Sequence, residues 1–364
     1  MEMMMRELGE IITGNTPSKN NEEFWNSEDI YFIKPDIIAD GEVNEICEAN
    51  EYISEEARKK ARIVSKNAIF ITCIGSIGKI GIAVEGEYAF NQQINVIIPN
   101  KKVQPKYLAY NLLFNKPRLI AVANAPVVPI INKSQFANFT INIDMDTDRQ
   151  AEVVEVLDKL TNVIKLREQE LQLLDNLIKA RFVEMFGNLK ITTTVARYIA
   201  ELRGGKSLAG NEKCKNKVLK TGAATFGWFD PEQYKYLPTD YEPLAEHKVE
   251  AGDVIISRMN TPELVGACSY VFEAPEDMYY PDRLWKVIAK ADTNPIFLWQ
   301  LLWDREIRRQ IKEKSGGTSG TMHNISKSKL LEIKCIDAPI ELQNQFADFV
   351  KQVDKSKVAV LKIF

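Results

Sequence analysis

The most regular hydrophobic pattern of the chain lies between residues 148 and 186, a stretch without glycine or proline. Its repeating positions are spaced by four and three residues in alternation and comprise Val153, Leu157, Leu160, Ile164, Arg167, Leu171, Leu174, Ile178, Arg181 and Met185. This heptad spacing predicts a coiled-coil helix, and Gly187 is typical of the residue that follows a helix end. At a rise of about 1.5 Å per residue the helix would be on the order of 60 Å long. Its apolar stripe needs a partner helix.

On both sides of this helix the apolar residues form shorter runs. Many are rich in β-branched residues and bounded by glycine, proline or asparagine, as strands are. The predicted elements are strands over 68–72 and 94–98 and a helix over 107–115 before the long helix, and strands near 254–257 and 285–289 and one helix over 296–314 after it. Pro117 is predicted to end the first of these helices.

Parts of the sequence occur twice. Residues 248–256 are similar to 63–71, and residues 325–330 are similar to 131–136. Each copy leads into an amphipathic helix, near 148–158 and near 341–354, and the offset is roughly 185 to 196 residues. This is far longer than the few tens of residues of a solenoid repeat. A whole module of domain plus helix is therefore duplicated, and the second helix, with an apolar face that includes Phe346 and Val353, is predicted to pair antiparallel with the first.

Composition places the chain among globular proteins. Its 364 residues, 45% hydrophobic and 27% charged, predict two or three domains. The five scattered cysteines form no C-x-x-C pair, and only two histidines occur, which argues against a disulfide framework and a zinc site. No signal peptide or membrane-spanning run is recognised. We expect a cytoplasmic protein that does not interact with membranes and binds no metal.

The net charge of −3 argues against nucleic acid only on average. Lysine and arginine gather in two stretches, 203–220 and 305–329, and each is either a DNA-binding face or a solvated surface.

Familiar catalytic motifs are not convincing. Residues 200–207 fit a relaxed phosphate-binding loop, but the following residues are a poor helix start. The glycine-rich segment 75–81 lies between two predicted strands and indicates a hairpin loop. Asp282, Glu332 and Lys334 are the only candidates for a metal-dependent nuclease centre. We therefore expect no catalytic residue in this chain.

Polar, glycine-rich loops occur at corresponding places in both modules. Residues 257–261 and 315–322 supply arginine, asparagine, serine and threonine, and residues 91–93 supply three neighbouring amide side chains. These side chains bind phosphates and the edges of bases. Two similar but unlike copies predict one task performed on two different targets.

Several segments, in this order along the chain, resemble the specificity subunit of type I restriction–modification enzymes. They are residues 8–18, 74–81 with 91–93, Arg149-Gln150 leading into the long helix, 181–187 and 318–326. The resemblance implies two target-recognition domains, 1–145 and 188–336, a central coiled-coil helix at 146–187 and a short distal helix at 337–364. The expected fold is α+β, with two similar mixed α/β domains separated by long antiparallel helices.

The same resemblance implies a non-catalytic reader of double-stranded DNA. Each domain would read one half of a bipartite, asymmetric site. Two methyltransferase subunits would dock on Val153, Leu157, Leu160, Ile164, Leu171, Leu174 and Ile178, and motor–nuclease subunits would join for cleavage. S-adenosylmethionine would belong to the methyltransferase, and ATP and magnesium to the motor. The expected DNA contacts are Thr16, Ser18, Lys19, Ser76, Lys79, Asn91 and Gln92 in one domain and Lys206, Ser207, Arg258, Asn260, Thr261, Arg283, Thr318 and Thr321 in the other.

One departure from the family pattern concerns the distal helix. The central helix continues for about thirty residues beyond Asp158, whereas the chain stops soon after Asp354, taken as the counterpart. Part of the central seam is thus expected to lack an intramolecular partner. Two other interpretations stay open: the nuclease with Asp282, Glu332 and Lys334, and a coiled-coil adaptor that does not bind DNA.

Overall fold

A computed structural model of the protein describes residues 1–123, 128–319 and 322–361. The chain divides into two compact units, Met1–Leu166 and Arg167–Phe364, and their boundary lies inside one long helix. In the described part of the chain, no helix is long and apolar enough to cross a membrane.

The first unit combines mixed sheets with helices. Its strands are β1 (Glu2–Met4), β2 (Gly9–Thr13), β3 (Ile30–Ile33), β4 (Val43–Ile46), β5 (Glu51–Ile53), β6 (Ile63–Ser65), β7 (Ile69–Thr72), β8 (Ile80–Ala83), β9 (Glu87–Phe90), β10 (Ile94–Pro99) and β11 (Thr140–Asn142). Its helices are α1 (Met5–Leu8), α2 (Pro105–Phe114), α3 (Lys116–Val122), α4 (Lys133–Asn138) and the long α5 (Thr147–Phe186), which continues into the second unit. Alternating side chains of β7 serve two cores: Ile71 packs with α2, and Phe70 packs with β9.

The second unit also combines mixed sheets with helices. Its strands are β12 (Ile191–Thr194), β13 (Ile199–Gly204), β14 (Lys217–Leu219), β15 (Tyr234–Tyr236), β16 (Val254–Ser257), β17 (Met259–Asn260), β18 (Cys268–Tyr270), β19 (Met278–Tyr279), β20 (Leu284–Ala289), β21 (Gly316–Ser319), β22 (Met322–Asn324) and β23 (Lys334–Ile336). Its helices are α6 (Pro295–Trp303), α7 (Arg305–Lys314), α8 (Lys327–Leu331) and α9 (Ile340–Leu361). The α+β class predicted from the sequence is confirmed.

The central sheets of the two units share four strands in the same order. This order is β2-β10-β7-β8 in the first unit, where β4 is added beside β8 as a fifth strand, and β13-β20-β16-β18 in the second. The registers also agree, because Ile94 lies opposite Thr72 as Leu284 lies opposite Ser257. The predicted duplication is confirmed, and the four shared strands pair equivalently apart from a register shift between Ile199 and Glu201 of β13.

The turns that precede β7 and β16 show how closely the two units agree. Asn67 and Gly252 both adopt a left-handed backbone, with φ of 72° and 96°. Their N–H groups donate to the carbonyls of Ala83 and Val271, at 2.9 and 2.8 Å. Glycine and asparagine are the residues that tolerate this conformation best. Two different residues therefore satisfy the same backbone requirement.

Two predicted helix boundaries require correction. The single helix predicted over 296–314 is two helices, α6 and α7, because the carboxylate of Asp304 accepts hydrogen bonds from the N–H groups of Glu306 and Ile307, at 2.9 and 3.3 Å. An aspartate in this role starts a new helix. Pro117 does not simply end a helix: it lies in the first turn of α3, where its missing N–H is not needed.

The long helix predicted from the heptads is present as α5, and its last turns pair with α9. The rings of Phe182 and Phe346 lie 5.5 Å apart, centroid to centroid. Nearer the middle of α5, Asp175 forms an ion pair with Lys357. Because the contacts move forward along α9 as they move back along α5, the two helices are antiparallel, as predicted.

The predicted docking residues on α5 fall into two groups. Ile178 is 3% exposed and Leu174 packs against the same core, so both belong to the interior of the second unit. The others are exposed or half-buried: Val153, Leu157, Leu160, Ile164 and Leu171. Leu160, for example, is 54% exposed. This part of the heptad seam is therefore not buried by the residues that the structure describes.

Equivalent hydrogen bonds at the starts of α5 and α9 show which residues of the two helices correspond. The side-chain oxygen of Gln150 accepts a hydrogen bond from the N–H of Gln104 (2.7 Å), and that of Gln343 accepts one from the N–H of Asn294 (2.9 Å). With these glutamines as counterparts, the residue that corresponds to Asp158 is Lys351 and not Asp354. The match made from the sequence was shifted by three residues.

Candidate nucleic-acid interface

Four loops of the first unit meet at one end of its sheet, where three of them lie beside the loop formed by residues 91–93. Backbone N–H groups bond to carbonyls of a neighbouring loop or strand end in each case. These bonds run from Asn15 to Phe90 (2.9 Å), from Asn91 to Ile33 (3.1 Å) and from Cys73 to Gln93 (2.8 Å). We call residues 14–19, 34–41, 73–79 and 91–93 the first loop cluster. Its framework is made of main-chain atoms.

The second unit repeats this arrangement. The N–H of Gly205 donates to the carbonyl of Pro281 (3.0 Å), and that of Arg258 donates to the carbonyl of Arg283 (3.1 Å). Residues 205–207, 220–228, 258–266 and 281–283 form the second loop cluster. The strand registers make residues 281–283 the counterparts of 91–93.

Three of the predicted DNA contacts, together with Asp282 from the nuclease alternative, form equivalent side-chain pairs in the two clusters. The hydroxyl of Thr16 donates to the side-chain oxygen of Gln92 at 2.9 Å. At the same place in the second cluster, the hydroxyl of Ser207 donates to the carboxylate of Asp282. Each pair ties the first loop of its cluster to the last, and all four residues are exposed. The structure thus brings together candidates that lie about seventy-five residues apart in sequence.

A glycine next to each pair is required by close packing. A Cβ atom on Gly14 would overlap the carbonyl oxygen of Asn91, and one on Gly205 would overlap that of Tyr280. Backbone cannot move aside as a flexible side chain would. These two glycines therefore set the distance between the first loop and residues 91–93 or 281–283.

Asn91 has a structural role in the first cluster. Its side chain is buried, its amide donates to the side-chain oxygen of Gln93 (2.9 Å), and its own oxygen accepts from the N–H of Gln93 (3.1 Å). This places Asn91 inside the turn, in contrast to the DNA-facing position expected for it. Gln93 was not among the predicted contacts, yet it is the counterpart of Arg283. Only the strand register, which the sequence does not display, identifies it.

The hairpin loop between β7 and β8 was predicted correctly and carries Ser76 and Lys79. Ser76 is exposed. The ammonium group of Lys79 donates to the carbonyl of Pro35 at 3.2 Å, and so joins two loops of the first cluster. Asn260 joins the same two loops in the second cluster, with its amide nitrogen 3.5 Å from the hydroxyl of Thr225.

At the outer end of the first loop, Lys19 and Ser18 are both exposed. Lys19 forms an ion pair with Glu51 at 3.1 Å and lies over the ring of Trp25. Lys34, in the next loop, pairs with the same carboxylate group. One carboxylate on β5, beside the cluster, therefore offsets part of the positive charge of Lys19 and Lys34.

The second cluster has a different charge. Lys206 lies 5.8 Å from the ring centroid of Tyr241, and Arg258 lies 5.6 Å from that of Trp285. Within residues 1–123, 128–319 and 322–361, neither of these cations nor the exposed Arg283 forms an ion pair. The second cluster is therefore the more attractive of the two for phosphate groups.

Three of the predicted DNA contacts remain. Thr261 is exposed and donates its N–H to the side chain of Asn260 at 2.9 Å. Thr318 belongs to β21, but its side chain lies outside the description. Thr321 lies outside the described residues altogether.

The three residues considered for a nuclease lie in different elements. Asp282 is bonded to Ser207, Glu332 follows the end of α8, and Lys334 begins β23. Among the described residues, no three histidine, cysteine, aspartate or glutamate side chains are grouped so that they could hold a metal ion.

The family model for the type I restriction modification DNA specificity domain matches residues 1–176 and again residues 199–362. The chain belongs to this family. The two matches coincide with the two copies recognised in the sheets and in the loop clusters, and the resemblance recognised in the sequence is confirmed.

Individual specificity subunits are similar to parts of the chain. It is 32% identical over 109 residues to the type I restriction enzyme HindI specificity subunit of Haemophilus influenzae, which covers 30% of this chain and 23% of that protein. It is 29% identical over 169 residues to the EcoR124I/EcoR124II specificity subunit of Escherichia coli, which covers 43% of this chain and 41% of that protein. The chain thus spans less than half the length of these relatives.

Solved structures show the same fold over the whole chain. The S subunit of a type I restriction-modification system from M. genitalium superimposes with a TM-score of 0.59 at 14% identity, and covers 100% of this chain and 91% of that one. At this identity the likeness concerns the fold alone.

Proposed function

We propose that this chain is the DNA-specificity subunit of a type I restriction–modification complex and has no catalytic role of its own. In this proposal each loop cluster contacts one half of a bipartite, asymmetric DNA site. The observation that supports it is that the two loop clusters have equivalent backbones but different side chains at corresponding positions. Thr16 and Gln92 in one cluster correspond to Ser207 and Asp282 in the other.

Unlike side chains at equivalent places would select unlike bases. Amide side chains such as Gln92 suit adenine, whereas arginines such as Arg258 and Arg283 suit guanine. Lys79 and Lys206 would add contacts to phosphates, which hold the protein on DNA without reading the sequence. Two readers on one chain would explain an asymmetric target.

The exposed part of the α5 seam is the proposed docking surface for methyltransferase subunits. Val153, Leu160 and Ile164 are large apolar residues left in solvent on one helix, and such a stripe on a long helix is typical of an interaction surface. Leu174 and Ile178, although part of the same heptad series, are already used inside the second unit. The methyltransferase would carry S-adenosylmethionine, and a motor subunit would carry ATP and magnesium, so we propose that this chain binds no cofactor.

A genome-wide map of adenine methylation tests the proposal. Cells would express the chain together with the methyltransferase subunit encoded beside it, and control cells would lack the chain. We expect a new bipartite motif that depends on the chain. No new motif in the presence of an intact, expressed methyltransferase would contradict the proposal.

The two rival interpretations make different predictions. A nuclease would cleave DNA as a purified chain with a divalent cation and would lose this activity on Asp282→Asn. An adaptor that does not bind DNA would tolerate charge reversal at Lys206 and Arg258 and would show no DNA retention even with its partners present. Our proposal expects no cleavage by the chain alone and impaired methylation after the charge reversals.

A further inference from the structure

One loop has opposite chemistry in the two clusters. It follows β3 in the first unit and β14 in the second, and each of these strands pairs in parallel with the strand before residues 91–93 or 281–283. Lys34 and Lys220 open the loop, and Gly41 and Gly227, seven positions later in each copy, both have φ of 89°. The loop tips, residues 40–42 and 226–228, are therefore counterparts.

In the first unit the tip is acidic and held down. Asp40 forms an ion pair with Lys116, and this bond holds the pKa of the Asp40 carboxyl below its usual value. Glu42, on the other side of Gly41, adds a second, half-buried carboxylate. A tip of this charge repels phosphate groups, so it is unsuited to penetrate DNA.

In the second unit the tip carries two aromatic rings. Phe226 and Trp228 stack with centroids 5.6 Å apart and an angle of 29° between the rings. They are 63% and 60% exposed. The left-handed Gly227 between them packs against the ring of Trp303, where a Cβ would lie 3.4 Å away. The stacked pair is thus supported from behind and presented to solvent.

The surroundings of this pair are those of a nucleic-acid contact. Thr225, which precedes Phe226, lies 3.5 Å from the amide of Asn260, a candidate base reader. Lys220 opens the loop, is exposed and forms no ion pair within the described ranges. Arg258 and Arg283 belong to the same cluster. Exposed aromatic rings among unpaired cations are the combination that stacks on bases while neighbouring phosphates are neutralised.

We propose that Phe226 and Trp228 contact the bases of the second half-site as an apolar wedge. Aromatic and aliphatic wedges of this kind press against thymine methyl groups or enter between base steps. The inference rests on the proposed function and goes beyond it, because it assigns this contact to two residues and to one half-site only. The first half-site has no such wedge, since Asp40 and Glu42 occupy the corresponding tip.

The first test uses the full chain assembled with its methyltransferase and a duplex that contains the motif found by methylation mapping. Changing both rings, Phe226→Ala with Trp228→Ala, should weaken binding of this duplex at least roughly 5- to 150-fold, as loss of one aromatic–base contact does. Phe114→Ala is the matched control, because Phe114 is 85% exposed, lies in the first unit and belongs to neither loop cluster. It should leave binding unchanged.

The second test is spectroscopic. Contact of Trp228 with bases should quench its fluorescence when the duplex is added. In the Trp228→Phe variant, the DNA-dependent part of the quenching should disappear while affinity is largely retained, because phenylalanine still stacks. This readout does not depend on methylation.

The outcomes separate this inference from the proposed function. Absence of any chain-dependent motif would remove the proposed function and the inference with it. A normal motif, with unchanged affinity and quenching in the variants, would overturn the wedge and leave the proposed function standing. Unchanged DNA binding with loss of co-purifying methyltransferase would also overturn the wedge and assign the two rings to a protein contact. Because both rings are exposed, the melting temperature should not change in any variant.

Discussion

Lys286 and Asp253 form an ion pair of 3.0 Å inside the second unit, and each residue is only 8% exposed. The hydroxyl of Tyr280 also donates to the Asp253 carboxylate, at 3.0 Å. Burial, with this carboxylate beside it, raises the pKa of the Tyr280 phenol well above its usual value. The strand registers assign apolar counterparts in the first unit, namely Val96, Ala68 and Phe90.

Because the first unit has apolar residues at the three corresponding positions, it shows which substitutions could replace the polar cluster as a set. Lys286→Met should lower the free energy of unfolding of the second unit by about 3–5 kcal/mol, because it leaves a buried carboxylate without its partner. The triple change Lys286→Val, Asp253→Ala and Tyr280→Phe copies the first unit and should cost about 1 kcal/mol or less. Urea unfolding measures both, and a triple variant as unstable as the single one would contradict the argument.

A second prediction concerns the glycines at the base of the clusters. Gly14→Ala and Gly205→Ala should each lower the stability of their own unit by about 1–3 kcal/mol, because the new methyl group meets a backbone carbonyl. Both should also reduce methylation in the mapping experiment. Gly316→Ala is the control, since a Cβ there has no neighbour within 4 Å. Equal effects of all three changes would show that close packing is not the cause.

A third prediction separates the two half-sites. Gln92→Ala should relax the methylation motif in one half and Arg283→Ala in the other, each by about 1–3 kcal/mol of discrimination at one base pair. Both side chains are exposed, so stability should stay within about 0.5 kcal/mol. The unaffected half-site is the internal control. Relaxation of both halves by one substitution would argue against separate readers.

A fourth prediction distinguishes docking from folding along α5. Leu160→Glu places a charge on an exposed position, so the chain should fold normally but lose its methyltransferase in a pull-down. Ile178→Glu places the same charge in the core of the second unit and should unfold that unit. Melting curves and co-purification together measure both effects. Normal co-purification of Leu160→Glu would exclude this part of the seam as the docking surface.

A fifth prediction concerns the pH dependence of stability. Partial burial raises the pKa of Asp354 on α9, with Lys357 opposing and Glu273 adding to the shift. A carboxyl whose pKa is higher in the folded than in the unfolded state destabilises the fold at neutral pH, and the penalty disappears as pH falls below the unfolded value of 3.8. Asp354→Asn should therefore stabilise the chain at pH 7 but not near pH 3. Asp348→Asn, on the exposed side of the same helix, is the control.

Features with a local cause could be predicted from the sequence. The helix α5 could be predicted because its heptad pattern is visible within one continuous segment and requires no knowledge of its packing partners. The strand Val254–Ser257 was placed correctly because a β-branched run ends at a polar turn. The break at Asp304 was missed because the residues on both sides of it favour helix. The sequence does not show that the Asp304 side chain caps a second helix there.

Features that depend on strand register could not be predicted. The counterpart relation between Gln93 and Arg283 requires knowing that Ile94 faces Thr72 and Leu284 faces Ser257. The ion pair joins Lys286 on β20 to Asp253, which immediately precedes β16, and no local sequence pattern predicts this contact. The aromatic tip was overlooked because an exposed ring and a core ring look alike in a sequence.

The framework of the loop clusters is made of main-chain hydrogen bonds and two tightly packed glycines, whereas the paired side chains of Thr16 with Gln92 and Ser207 with Asp282 are exposed. Such a framework would let the proposed DNA contacts be replaced without rebuilding the sheet beneath them. One half of the target could therefore change while the other half is preserved. New combinations of half-sites would arise from exchanging short loops, and a protein of this design would acquire new targets with little loss of thermodynamic stability.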